Sequence, residues 1–295
     1  MASRIHAFQI FYNDATRASL DPDFEPLDNS ANERPDWYEY WPMRGYFSAN
    51  ALDESAYYGF FSPLFFRKTQ LSGKQVMAFA SQAGEADAIT FSPHPCHGAC
   101  FYNVFEQGAN CFPGFLDAAT KFLHALDPAI RLDALVNDSR NTVYSNYFLA
   151  KPRFWGLWNG VFNRLFELAE TPGSPLHDAL ARPVEYAKDD GETKPAQMKI
   201  MVMERVVSLM LASGAFKTKN YPPFAMPLSA PFAGRLADLV ALDALKIAYA
   251  ETGDRQFLRL FEEQRNRLLA STVSGGKPKK KVPRRVPFIN AMLCY

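Results

Sequence analysis

Cysteine is scarce: four in 295 residues, three of which (Cys96, Cys100 and Cys111) fall in one short segment. That is too few for a disulfide scaffold in a chain of this size, so reduced thiols are expected. Long apolar runs are missing as well. The most apolar stretch, 200–216, is broken by Glu204 and Arg205, whereas a membrane-spanning helix needs about 20 mostly apolar residues. The first ten residues hold no apolar segment of the kind a secretory signal carries, which makes the cytoplasm the expected compartment. Charge of one sign is not in excess: 32 Lys and Arg oppose 31 Asp and Glu, a net +1. No global basic field speaks for nucleic acid. Neither GxGxxG nor GxxxxGK[ST] occurs, which removes the dinucleotide fingerprint and the P-loop.

What is present is a globular composition, 48% hydrophobic and 21% charged, with aromatics at 14%. Segment 4–12 reads as a buried first strand, and a polar, proline-marked loop follows at 21–35. Segment 36–47 (DWYEYWPMRGYF) looks helical but holds Pro42. Proline removes a backbone hydrogen bond and crowds the preceding turn, so a kink or two short helices are expected. Short strands are expected at 57–61, 88–91 and 145–150. Helices are expected from Ser72, a good N-cap, to about 83, at 113–126, from Pro152 to about 170, and at 199–213. A polar excursion with a short helix fills 171–194, and four prolines make 221–231 extended loop. A helical hairpin closes the pattern at 235–251 and 255–270, with Gly253 ending its first helix and Asp254 capping its second. Strands and helices mixed, then helices alone, favour an α/β core with a helical C-terminal part. The expected divisions are 1–214, a helical extension at 215–270, and a basic flexible tail at 271–295.

Three clusters come in a telling order: Asp28-Asn29, then Trp37-Tyr38-Glu39-Tyr40-Trp41, then Tyr57-Tyr58-Gly59-Phe60-Phe61. Segments 144–155 (YSNYFLAKPRFW), 162–170 and 203–211 (MERVVSLML) continue the series. Together they resemble the small GT-A-type bacterial glycosyltransferases of capsule and lipopolysaccharide biosynthesis. The resemblance implies a GT-A-like (Rossmann-like) mixed sheet with a helical C-terminal extension. It implies hexosyltransferase-like movement of a sugar from a UDP- or GDP-linked donor to a cell-surface glycan or lipid-linked precursor. It puts nucleotide-sugar contacts on Tyr12, Asn13, Asp28, Asn29, Glu39, Arg67 and Lys68. One departure stands out. Where the family has a His-Tyr-Arg-Arg turn, this chain reads Ser62-Pro63-Leu64-Phe65-Phe66-Arg67-Lys68. The histidine is absent and the basic pair displaced, which sets the alternative: a non-catalytic nucleotide- or carbohydrate-binding relative.

A nucleotide-sugar transferase must stabilise a diphosphate leaving group, through a metal ion or through cationic side chains. Mg2+ or Mn2+ would be the ion, but no metal ligand can be assigned. Asp21-Pro22-Asp23 has the Asp-x-Asp spacing in an early loop, where a turn is the commoner cause. Arg67 and Lys68 could supply the cations. His94, Cys96, His97 and Cys100 carry zinc-ligand chemistry and suggest a metal-dependent hydrolase as a third reading. Four ligands within seven residues would strain a tetrahedron, so a loop lining a pocket is expected instead. Glu204, on the most apolar helix, is the candidate base for an acceptor hydroxyl; otherwise Glu204 or Arg205 pins that helix by ion pairs. Asp138, Arg140 and Asn146 are candidate acceptor or sugar contacts, although a capped turn explains the 138–141 cluster equally well. Six cations between Lys277 and Arg285 precede Val286-Pro287-Phe288-Ile289. Such a run can hold a protein to the inner, anionic face of a membrane at about 1 kcal/mol per charge.

Overall fold

The computed structural model describes residues 4–187 and 193–273. Six strands form its central sheet: β1 (Ile5–Phe11), β2 (Glu25–Asp28), β3 (Tyr57–Phe61), β4 (Ala88–Thr90), β5 (Phe148–Ala150) and β8 (Thr218–Asn220). Their order is β2-β1-β3-β5-β4-β8. Only β5 runs against its neighbours. A separate antiparallel hairpin pairs β6 (Pro183–Ala187) with β7 (Thr193–Gln197). The short helices are α1 (Asp14–Ala18), α3 (Phe65–Thr69), α5 (Pro95–Cys100) and α9 (His177–Ala181). The longer ones are α2 (Tyr40–Ala49), α4 (Gly73–Ala80), α6 (Val104–Cys111), α7 (Phe115–Leu126), α8 (Pro152–Glu170), α10 (Met198–Ala212), α11 (Leu236–Thr252) and α12 (Arg255–Val273). The fold is therefore α/β with a mixed, Rossmann-like sheet.

Both faces of the sheet are covered, which is why β3 can be aromatic at four of its five positions. All five of its residues are buried. Side chains alternate across a strand, so Tyr58 and Phe60 join the core beneath α2, α8 and α10. Tyr57 and Phe61 join the core beneath α3 and α4. Gly59 lets β3 and β5 approach: a Cβ there would lie 2.7 Å from the Phe148 carbonyl and 2.5 Å from Leu149 Cδ2. Backbone cannot yield as a side-chain tip can. Gly59→Ala is expected to lower stability by ~3 kcal/mol, the upper range for overpacking, read from the urea midpoint; a shift below about 0.5 kcal/mol would contradict this.

Several expectations hold in detail. Segment 36–47 is split into a 3-10 turn (Pro35–Trp37) and α2. Pro42 sits in the first turn of α2, where no intrahelical donor is needed. Ser72 caps α4 through a reciprocal box with Gln75. Gly253 ends α11 at φ 70, and the Asp254 carboxylate accepts from Gln256 N at 2.8 Å. Cys96 and Cys100 are free and buried, but Cys111 is disulfide-bonded, so the reduced-thiol expectation holds for only part of the chain.

Other expectations change. The loop at 21–35 contains edge strand β2, and the excursion at 171–194 contains most of the β6–β7 hairpin. The strand expected from 145 begins only at Phe148, because Ser145 and Asn146 are left-handed, with φ of 59 and 52. The division at 214 cuts the sheet, since β8 pairs with β4 at Ala88↔Thr218. The helical part of 215–270 packs on α5 through Cys96, Phe101, Leu239, Leu242 and Phe261. Lys246 locks that contact: its fully buried ammonium donates to the carbonyls of Gly98 and Phe101. The expected tail begins inside α12, and its residues 274–295 lie outside the described residues. Among the described residues no helix is long and apolar enough to cross a membrane.

Candidate functional site

The chain leaves β1 to form β2 on one side of it and then crosses to form β3 on the other. Strand order thus reverses at β1, between β2 and β3, and a crevice lies beside this switch point, past the carboxyl end of β3 and before the start of β5. Open α/β sheets bind ligands at such switch points. Here the crevice is narrow and opens to solvent; the space of about 460 Å3 around it includes the solvent at its mouth. Its walls are the 37–40 segment, Ser62 after β3, Ser145 and Asn146 before β5, Trp158 of α8, and Ile200, Met203 and Glu204 of α10.

An ionic network fixes the 37–40 wall. Lys199, 3% exposed, holds its ammonium 2.6 Å from Asp36 and 3.3 Å from Glu170, over the Trp37 ring at 4.0 Å. Arg34 joins the same two carboxylates at 2.9 and 2.8 Å. The Trp37 indole donates to Glu170 at 2.9 Å. Partial burial pushes the Asp36 carboxyl up, but hydrogen bonds from Arg34 and Lys199 outweigh it and hold it at about 2. The next residue along, Tyr38, takes φ 48 with ψ −132. Of six non-glycine residues with positive φ, three (Tyr38, Ser145 and Asn146) line this one crevice. Such strain collects at ligand sites. Burial raises the Tyr38 phenol, and Glu39, Glu204 and Tyr12 raise it further.

Glu204 and Arg205 divide the work of α10. Arg205 is buried and donates to Val104 O (3.0 Å), Met201 O (2.7 Å) and Gln107 Oε1 (2.6 Å). It is the residue that pins the helix. Glu204 lines the crevice, makes no hydrogen bond among the described residues, and meets only Arg205, at 4.0 Å. Two polar atoms of the lining residues are buried with no hydrogen-bond partner among the described residues: Asn146 Oδ1 and Trp158 Nε1.

The structure therefore brings Glu39, Asn146 and Glu204 together. Lys68 touches the same wall, its ammonium 3.0 Å from Ser145 Oγ, and Arg67 is exposed on α3 beside it. Tyr12 lies exposed past β1 and adds to the field at Tyr38. Asn13, Asp28 and Asn29 stand at the same sheet edge but do not line the crevice. Asn13 caps α1, accepting from Thr16 N at 2.8 Å. Asp28 accepts from Ser30 N at 2.7 Å, and hydrogen bonding by Ser30 lowers its carboxyl. Asn29 N donates to Phe11 O at 2.8 Å. Asp138 and Arg140 are not brought to the crevice. They pair with each other at 2.8 Å, and Arg140 reaches Glu251 of α11, also at 2.8 Å. Asp21 accepts from Asp23 N at 3.0 Å, the turn its spacing suggested, and also from Gly73 N at the start of α4, at 2.8 Å. Trp158, on the buried stripe of α8, reads in the sequence as core alone; only the bond census around it marks its N–H.

The His94–Cys100 segment is α5 with its cap, and it lines a second crevice of about 360 Å3 with Tyr221 and Asp243. The segment lines a pocket as expected, but as a short helix started by Pro95 rather than as a loop. Among the described residues no three of His, Cys, Asp and Glu gather as a metal-binding group. Burial pushes the Cys100 thiol up to about 12 and the His97 ring down to about 4, and it lowers His94 in the same sense. The stacked imidazoles, 5.3 Å apart, are thus neutral at pH 7. A histidine depressed in the fold contributes stability that is complete above its unfolded value of about 6.5 and is lost as pH falls toward 4. Unfolding free energy should fall by up to ~1.4 kcal/mol per pH unit in that window from His97 alone, with His94 adding in the same direction. Urea titrations at pH 7, 6 and 5 check this, and His97→Gln should flatten the slope. No family model, curated protein or solved structure matches this chain.

Proposed function

We propose that this chain is a glycosyltransferase of the GT-A type, moving a sugar from a nucleotide-sugar donor to a cell-surface glycan or its lipid-linked precursor. The observation that carries the reading is Glu204: a carboxylate without a hydrogen-bond partner among the described residues, lining a crevice past the carboxyl end of β3 beside the sheet's switch point. In the proposed step the Glu204 carboxylate takes the proton of an acceptor hydroxyl as that oxygen bonds to the anomeric carbon. The bond from that carbon to the diphosphate breaks, and the diphosphate leaves with the electron pair. Lys68, at the lip beside Ser145, and Arg67, exposed on the same helix, would receive that charge; Arg205 and Lys199 are buried and engaged in holding α10 and the 37–40 wall. Mg2+ or Mn2+ would supply the same neutralisation, but the described residues hold no ligand group to fit one, so no step is routed through a metal. A lipid-linked acceptor would place the protein at the inner face of the membrane, and the cations suited to hold it there lie outside the described residues.

The second reading, a non-catalytic nucleotide- or carbohydrate-binding relative, is favoured by Ser62. At the turn where the resembled family has its histidine, the Ser62 hydroxyl is already engaged with the Tyr147 phenol at 2.6 Å. Thermal unfolding with a set of UDP- and GDP-sugars, with and without Mg2+ or Mn2+, tests the first reading. A bound donor at 100 times its Kd should add about 2.7 kcal/mol. No shift with any donor would sink it, whereas a shift without donor hydrolysis or transfer would favour the second reading.

A further inference from the structure

The polar groups around the switch-point crevice that make no hydrogen bond among the described residues have a definite composition. Asn146 Oδ1 and the Glu204 carboxylate can only accept hydrogen bonds; Trp158 Nε1 can only donate one. No Lys or Arg is among the lining residues. Trp158 is fully buried, its ring stacked on Phe162 at 4.0 Å, so its orientation is fixed by packing. An indole N–H left without a partner among the described residues carries a desolvation cost that a ligand relieves once the wall yields to admit it, since neither Trp158 Nε1 nor Asn146 Oδ1 is open to a water-sized group in this structure. A phosphate or carboxylate could accept from Trp158 but would face two acceptor groups, one of them charged. A planar hydrocarbon would leave all three unsatisfied. Neighbouring hydroxyls satisfy them all, because each hydroxyl both donates and accepts. The rings of Tyr38 and Tyr40 supply the flat apolar wall on which a sugar ring can rest.

The geometry points to a subsite for a neutral saccharide in this crevice, with Trp158 and Asn146 reading its hydroxyls and Glu204 rejecting sugars that carry a carboxylate. The inference rests on the transferase reading only in naming which part of a donor enters: the sugar does, and the diphosphate stays outside toward Lys68. Trp158 and Asn146 are then specificity-determining residues distinct from the proposed base.

Paired probes that differ in one group test it. UDP-glucose and UDP-glucuronate share nucleotide and ring and differ only in a hydroxymethyl against a carboxylate. The neutral member should bind about 100-fold more tightly, the size of one like-charge contact at the protein surface. Glu204→Gln should narrow that gap to less than about tenfold. Trp158→Phe should weaken the neutral probe about tenfold, the worth of one hydrogen bond, while leaving the gap in place. If Trp158→Phe fails to fold, Asn146→Asp takes its place: it adds a charge at nearly constant shape and should widen the gap. Equal binding of the two probes, or preference for the uronate, would overturn the inference. If no nucleotide sugar binds, the transferase reading fails separately, and methyl glucoside against methyl glucuronate, followed by saturation-transfer NMR, then decides. Contact with the neutral glycoside alone sustains the saccharide subsite; contact with neither, or with both, removes it.

Discussion

Glu204→Gln should leave the melting temperature within about 2 °C of the parent and cut transferase turnover by 10²–10⁴-fold, the usual cost of losing a general base. The first half of that expectation follows from geometry. Glu204 has one ionic neighbour, at 4.0 Å, and no hydrogen bond among the described residues, so neutralising it breaks little. Glutamine keeps the shape and can still accept a hydrogen bond, but it cannot carry the proton of an acceptor hydroxyl. Donor binding should survive, giving a fall in kcat without a matching rise in donor KM. Near-normal turnover per folded molecule would take Glu204 out of the chemistry.

The adjacent residue should behave in the opposite way. Arg205→Met keeps much of the volume beside Phe112 and Phe115 but removes three buried, charge-assisted hydrogen bonds, to Val104 O, Met201 O and Gln107 Oε1. The two carbonyls keep their partners within α6 and α10, so the loss rests on the bonds themselves, roughly 1.5–3 kcal/mol for one to a charged group. Because all three share one donor group the costs do not add fully, and a loss of about 3 kcal/mol is expected. Gly108 sharpens the effect, since a Cβ there would lie 2.6 Å from Arg205 Nε; helix α6 is shaped around this guanidinium. Denaturant unfolding reads the loss, and turnover per folded molecule should stay within severalfold of the parent. A loss below about 1 kcal/mol would show that water replaces the missing donors.

Sequence pattern revealed the elements whose apolar spacing is strong and whose ends carry caps: β3, α4, α8, α10 and the α11–α12 hairpin. It failed where burial is slight. Strand β2 has no fully buried residue and carries Glu25 and Pro26, the polar and proline marks of a protected sheet edge. That made it look like loop. Candidate site residues divide by the same logic. Glu204 was conspicuous because a carboxylate is rare on so apolar a helix. Asp138 and Arg140 were conspicuous for their charge, yet that charge is spent on each other and on Glu251. Asn13 was polar for the sake of a helix cap, and Asp21 for its own turn and the start of α4. Trp158 gave no signal because an indole in an amphipathic helix is ordinary core; its unpaired N–H exists only once every neighbour is in place.

The pairing of Ala88 with Thr218 also bears on how the chain is made. Strand β4 is flanked by β5 and β8, which arrive about 60 and 130 residues later in the sequence. Synthesis runs from the N-terminus at about 5–20 residues per second, so a completed β4 waits some seconds for its first neighbour and as long again for its second. Throughout that interval its open backbone groups are a template for any extended segment nearby. The chain therefore needs its C-terminal third for more than the helices it adds. Lys219→Pro, which sets a proline in the middle of β8 and leaves every helix of the chain in place, should make the protein aggregate where the parent stays dispersed, even though it keeps every residue that lines the switch-point crevice.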